Sequence, residues 1–242
     1  MRHTGPMDRT LKTLVTGANR GLGLETARQL LARGDRVVAT CRQPGKATAL
    51  NALAGEYPGR LHVLPLDVAE PASHAELVRE LPLVLGAQGR LDMLVNNAGV
   101  LHSGERFGRL EAGNLDHSFR VNATGPLLLT QALAPLLADG AKVVNLSSRL
   151  GSIGSTGRFG TPSYNMAKAA LNMATVLMAH ALAGRGIVVF AISPGWVRTD
   201  MGGSDAEVAP EDAVAGVLRQ ADALGTADSG RFIGTDGRDI PW

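Results

Sequence analysis

Leu11-Lys12-Thr13-Leu14-Val15-Thr16-Gly17-Ala18-Asn19-Arg20-Gly21-Leu22-Gly23 is the stretch from which the fold follows. The run over 11–16 reads as a short buried strand that breaks at Gly17, and apolar spacing over 22–31, ending near Gly34, reads as a helix. The glycine string lies at the junction. Gly17 permits a tight turn out of the strand. Gly21 lets backbone N–H groups, with Asn19, Arg20 and Leu22 around them, approach a pyrophosphate at the helix N-terminus. Gly23 lets helix and sheet pack closely. The same string without a ligand is only a tight strand–helix turn; its place between strand and helix favours the phosphate reading.

Working outward, strand patterns recur over 36–40, 61–66, 91–95, 142–146 and 187–192, with a short edge strand over 231–233. Helical patterns lie between them, over 46–55, 71–85, 115–137, 162–183 and 210–224. Such alternation predicts an α/β fold on a parallel sheet. The all-apolar run 187–192 suits a strand buried on both faces. No internal repeat, low-complexity tract or linker interrupts the chain. One domain is expected over 11–242, preceded by a flexible tail over 1–10.

The 242 residues, 45% hydrophobic and 19% charged, are enough for a substantial core. A net charge of +2 with no Lys/Arg block argues against nucleic acid as a partner. Apolar runs stay short of the roughly 18 residues of a membrane span, so no membrane partner is expected. The polar start over 1–9 carries no secretory signal pattern, and a single Cys41 fits a reducing cytoplasm. The sequons at Asn122 and Asn145 carry no meaning without a secretory route.

Tyr164-Asn165-Met166-Ala167-Lys168 places a phenol and an ammonium on one helix face. A free phenol titrates near 10, and a fixed ammonium beside it is expected to lower that by roughly 1–3 units, towards the range of a working acid–base group. Such pairs also occur on ordinary surface helices. At the other end of the expected site, the second strand runs out in Ala39-Thr40-Cys41-Arg42, with no acid to accept a ribose 2′-OH. Arg42, helped by Arg20, suits a 2′-phosphate, which favours NADPH/NADP+ over NADH/NAD+. Asp67 and Val68, after the third strand, are placed to meet an adenine ring; Asp67 also reads as a helix cap ahead of Pro71.

Together, the glycine loop, Asn96-Asn97-Ala98-Gly99, the Ser148/Tyr164/Lys168 set and Pro194-Gly195 resemble the short-chain dehydrogenase/reductase superfamily, in its order and from about Leu11 to the C-terminus. The resemblance implies a Rossmann-type, doubly wound parallel sheet of about seven strands with helices on both faces, holding NAD(P), with Asn97, Ala98 and Gly99 against the cofactor. It implies a catalytic tetrad. Asn122, in Arg120-Val121-Asn122-Ala123, would hold a water that feeds a proton relay. Ser148 fits the pattern Ser-x-x-Gly through Ser148-Arg149-Leu150-Gly151, which leaves Ser147 structural. Tyr164 would be the acid–base group, and Lys168 would lower its pKa and bind the nicotinamide ribose. Pro194-Gly195-Trp196-Val197-Arg198-Thr199 resembles the segment that holds the nicotinamide carboxamide, with Val197 and Thr199 as contacts. No metal is implied.

The step from Ser148 to Tyr164 is longer than in many members, and its Gly/Ser-rich residues 151–159 are expected to form a loop beside the substrate. Ser229-Gly230-Arg231-Phe232-Ile233, with Thr199-Asp200-Met201-Gly202-Gly203, is similar to the C-factor and sniffer-like carbonyl reductase branch. The expected chemistry is hydride transfer between nicotinamide and a small carbonyl compound or secondary alcohol, with Ser148 on the carbonyl oxygen. The alternative is an NAD(P)-binding signalling or regulatory protein of C-factor type with little turnover. Leu150, His102, Trp196 and Met201 are candidate substrate-lining residues; nothing in the sequence supplies His102 with a partner. The Ala/Leu-rich helices over 127–137 and 169–183 offer faces either to a homodimer or homotetramer or to their own sheet.

Overall fold

The computed structural model describes residues 10–86 and 89–242. Of the expected N-terminal tail only Thr10 falls among them; the rest lies outside the described residues. Seven strands, β1 (Lys12–Val15), β2 (Arg36–Cys41), β3 (Leu61–Pro65), β4 (Leu91–Asn96), β5 (Leu137–Leu146), β6 (Val188–Ser193) and β7 (Phe232–Gly234), form one sheet in the order β3-β2-β1-β4-β5-β6-β7. Every pairing is parallel. Parallel strands need helical crossovers, and α1 (Gly21–Ala32), α2 (Thr48–Glu56), α3 (Pro71–Leu85), α4 (Ala112–Phe119), α5 (Gly125–Leu133), α6 (Pro162–Leu182) and α7 (Pro210–Ala223) supply them.

Helices on both faces divide the core in two. On one face α1 and α7 bury Leu30, Leu31 and Val217 against Val144 and Phe190. On the other, α3, α5 and α6 bury Leu77, Leu129 and Met178 against Leu94 and Val143. Central strands therefore lose solvent on both sides, and every residue of β6 is buried. By length and hydropathy Pro162–Arg185 would pass for a membrane span, yet it packs along β6, α4 and α5 as a core helix. One side of that helix stays uncovered, at Met166, Met173 and Leu177. A buried polar chain ties the layers: Asn96 Nδ2 donates to Asn145 Oδ1 at 2.8 Å, and Asn145 Nδ2 donates to Thr175 Oγ1 at 2.9 Å.

One expected element is corrected. The helical reading of 115–137 resolves into α4, a single π turn (Arg120–Thr124) and α5, and β5 starts at Leu137. Pro135 sits in a 3-10 turn (Ala134–Leu136) that follows α5 directly ahead of β5. At the π turn the chain slips by one residue, and Gly125 then packs where a Cβ would come within 2.5 Å of the Val68 carbonyl oxygen. Strand order reverses between β1 and β4, and that switch point opens a crevice at the carboxyl ends of the strands.

Candidate active site

The crevice is a cleft of about 790 Å³ that runs from the end of β2 to Tyr164. Gly17, Asn19, Arg20, Gly21, Leu22, Arg42, Asp67, Val68, Asn97, Ala98, Gly99, Tyr164, Lys168, Pro194 and Thr199 all line it. Gly17 and Gly21 take positive φ, 63° and 55°, which an L side chain resists. A Cβ on Gly17 would sit 2.9 Å from the Ala98 Cα, so the loop can pass β4 only as glycine. Gly23 works behind the cleft, where a Cβ would lie 2.5 Å from Asn97 Nδ2. That carboxamide donates to the carbonyls of Thr16 (2.7 Å) and Gly17 (3.1 Å). Asn97 therefore holds the shape of the glycine loop with its side chain. The cradle suits a pyrophosphate: backbone donors, no side-chain bulk, and a helix N-terminus behind it.

At the β2 end, Arg42 points into the same cleft without a hydrogen-bond or ion-pair partner among the described residues. Arg20 lines the cleft as well, where Asp200 faces it and accepts from it at 2.8 Å. Lys46, on a 3-10 turn (Pro44–Lys46), adds a cation that the sequence reading missed, with Gln43 beside it. Asp67 lies in the cleft as expected but does not cap α3, whose N-cap is Glu70 with no side-chain bond. Its Oδ1 accepts from the Ala69 N–H at 3.0 Å ahead of α3.

At the other end, Tyr164 and Lys168 lie one turn apart on α6, 8% and 4% exposed. Lys168 Nζ donates to the Leu146 carbonyl at 2.6 Å and sits 5.5 Å from the Tyr164 ring centre. The expected depression of the phenol is corrected. Burial pushes Tyr164 up to about 12, opposed by a hydrogen bond from Ser148, and burial draws Lys168 down to about 8. Desolvation outweighs attraction because both groups have lost water and the lysine spends its hydrogen bond on Leu146. Tyr164 is therefore a held acid at neutral pH.

Ser148 borders Tyr164, with its Oγ accepting from the Leu150 N–H at 3.1 Å. Gly151, the glycine of Ser-x-x-Gly, is needed because a Cβ there would strike the backbone of Lys168 at 2.8 Å. Ser147 donates to Asn172 Oδ1 at 2.6 Å, the structural role expected of it. Asn122 lies in the π turn and ties both ends of its carboxamide to Val100, accepting at 2.9 Å and donating at 2.8 Å. Its side chain does not line the cleft. Pro126, four residues on, has no N–H to occupy the Asn122 carbonyl.

Gly195 turns the chain at φ 87°, and Thr199 packs against the glycine loop, 3.7 Å from a Cβ built on Gly21. Val197 is buried in a bridge with Val208 and does not line the cleft. His102, left without a partner by the sequence, has one: its Nε2 is 3.2 Å from His117 Nδ1 on α4. Glu105 was also missed. Its Oε2 accepts from Ser163 Oγ (2.8 Å) and the Ser163 N–H (3.2 Å), pinning the loop over 101–111 to the first turn of the helix that carries Tyr164. The residue that opens that helix, Thr161, has φ 41°, a left-handed backbone for a β-branched residue.

Residues 12–209 match the model of a family described as short chain dehydrogenase. The C-signal of Myxococcus xanthus is 42% identical over 156 residues, which cover 64% of this chain and 94% of that protein. The structure of an NADPH-bound carbonyl reductase from chicken fatty liver is 35% identical with a TM-score of 0.91, covering 97% of this chain and 100% of that one. The carbonyl reductase Sniffer of D. melanogaster is 30% identical with a TM-score of 0.92, at coverages of 97% and 100%.

Proposed function

The chain belongs to the short-chain dehydrogenase family, and from that membership we propose that it is an NADPH-dependent carbonyl reductase with Tyr164 as its acid. Its relatives of the carbonyl reductase and Sniffer type mark it as an NAD(P)-dependent oxidoreductase acting on C=O and CH–OH groups. The observation that carries the finer reading is geometric: Tyr164 is buried where the cleft ends, with Ser148 beside it and Lys168 Nζ 5.5 Å from its ring centre. Tyr164 and Lys168 line a cleft whose far end presents Arg42 and Lys46, with no acid at the end of β2 itself.

When bound, the cofactor supplies the hydride. The chain's own residues position the carbonyl and move the proton. Ser148 donates a hydrogen bond to the carbonyl oxygen, and Tyr164 gives that oxygen its proton as negative charge develops there. Lys168, drawn down to about 8 by burial and 5.5 Å from the Tyr164 ring centre, exchanges protons near neutral pH. The water expected at Asn122 is assigned to its main-chain carbonyl, since the carboxamide is turned onto Val100. NADPH is favoured over NADH by the two cations at the end of β2, supported by the NADPH in the chicken reductase. The alcohol-oxidising direction uses the same groups in reverse.

A second reading, a regulatory protein in which NAD(P) occupancy carries the message, is favoured by the 42% identity to the C-signal. One experiment separates the two. NADPH oxidation is followed with a panel of aldehydes, ketones and diketones, in the wild type and in Tyr164→Phe. Turnover that the variant lowers by about 10²–10⁴, with NADPH binding retained, supports the reductase. Equal turnover in the variant removes Tyr164 from the chemistry, and NADPH binding without turnover across the panel favours the regulatory protein.

A further inference from the structure

Resting on the carbonyl reductase reading, we propose that the substrate is an organic anion, a carbonyl compound with an aromatic or otherwise apolar body and a carboxylate at its far end. It is received by the two loops over 101–111 and 149–161. The rings of Phe107 and Phe159 join those loops edge to face, 5.7 Å apart at 88°. The first loop is pinned beside Tyr164 through Glu105 and Ser163. The second starts at Ser148 and ends in the first turn of α6. Phe107 is 84% exposed and Phe159 53%, so two aromatic rings stand in water on loops anchored to the start of the helix that carries Tyr164.

The same two loops carry Arg106 and Arg158, which flank Phe107 and Phe159 in the chain, and Arg109 and Arg149; all four are exposed, and none has a hydrogen-bond or ion-pair partner for its guanidinium among the described residues. Most arginines elsewhere are held, with Arg42 and Arg79 the exceptions among the described residues. Arg33, Arg120, Arg185 and Arg231 pair with carboxylates, and Arg36, Arg60 and Arg90 donate to main-chain carbonyls. The loops do not neutralise their own cations. Glu105 is turned onto Ser163, Glu111 is the other acid of the first loop, and the second loop has none. A net charge of only +2 makes this a local excess and not a general one. Guanidinium groups beside aromatic faces suit a carboxylate on an apolar body, the rings taking the body and the arginines the charge. With no Lys/Arg block in the sequence, a small anion fits better than a polyanion.

The test is the ratio of kcat/KM for 4-carboxybenzaldehyde to that for its methyl ester, with NADPH as reductant. It is measured in the wild type, in Arg106→Ala/Arg158→Ala, and in Arg79→Ala, which removes an unpaired cation from α3. Exposed charge pairs contribute a few-fold each, so the wild type is expected to favour the carboxylate by about tenfold at low salt. The ratio falls towards one in the double variant and at high salt, and is kept in Arg79→Ala. Calorimetric titration of the corresponding benzyl alcohols into the NADP+-loaded protein reads the same preference without turnover. A ratio at or below one in both assays, or one that the double variant leaves unmoved, overturns the proposal. Tighter binding of the carboxylate with no turnover of either aldehyde supports the anion site and counts against the reductase reading alone.

Discussion

Lys168 Nζ donates to the main-chain carbonyl of Leu146 at 2.6 Å, so the side chain one turn from Tyr164 is tied to the last residue of β5. The tie sits in a place that disfavours its charge, since Lys168 is 4% exposed and burial draws it down from 10.5 to about 8. Between those two values the unfolded chain binds a proton that the folded chain has released, so this group makes stability rise with pH there. Tyr164 acts the other way at higher pH. Its folded value of about 12 exceeds 10.0, so its contribution falls as pH rises between them.

Comparing the wild type with Lys168→Met isolates the lysine. The difference in Tm is expected to move in favour of the wild type from about pH 7 to about pH 10. Turnover in the variant should drop by roughly 10²-fold or more if the lysine serves proton transfer. Melting curves that stay parallel across that range would remove the shifted lysine from the account.

The phenol can be read directly. The chain has two tyrosines, and Tyr57→Phe leaves Tyr164 alone. In that variant, without cofactor, tyrosinate absorbance is expected to stay low through pH ~10, the ordinary midpoint of a free phenol. A midpoint below that value would mean that the lysine, and not burial, sets the titration.

What the sequence disclosed and what it hid divide along a physical line. Gly17, Gly21 and Gly23 were legible because they act through backbone geometry that only glycine satisfies, next to a strand and a helix whose periods are local. Alternation of strand and helix carried the parallel sheet for the same reason. Asp200 facing Arg20, His117 beside His102 and Glu105 under Ser163 were not legible, since each joins residues distant along the chain with no repeat to betray them. The π turn was hidden by apolar spacing that persists through a one-residue slip over 115–137. The direction of the Tyr164 titration was misread because adjacency on a helix is visible in a sequence and the depth of burial is not.

Two glycines with opposite surroundings test the close packing behind the loop. A Cβ on Gly23 would lie 2.5 Å from both Asn97 Nδ2 and the Gly17 carbonyl oxygen. Gly23→Ala should therefore cost about 1–3 kcal/mol in urea unfolding and weaken dinucleotide binding, because the glycine loop itself must shift. Gly113, inside α4, has open space around it. Gly113→Ala should gain about 0.5–1 kcal/mol from helix propensity. Similar effects at both sites would show that the Gly23 contact is relieved at no cost.

Arg20 and Asp200 are 68% and 75% exposed on their side chains, so the pair contributes little to stability and can be exchanged for another partner. A 2′-phosphate near Arg42 and Lys46 would compete with Asp200 for Arg20. Asp200→Asn is thus expected to tighten NADP+ binding by a few-fold, by releasing Arg20 and by removing a negative charge from the cleft. Arg42→Ala is expected to weaken NADP+ by about tenfold while affecting NAD+ far less, because a charge-assisted bond to the phosphate is lost with nothing comparable on the other cofactor. Calorimetric titration of both nucleotides into the three proteins checks this. If Arg42→Ala weakens the two nucleotides equally, the cations at the end of β2 do not read the phosphate, and the preference for NADPH loses its support in this chain.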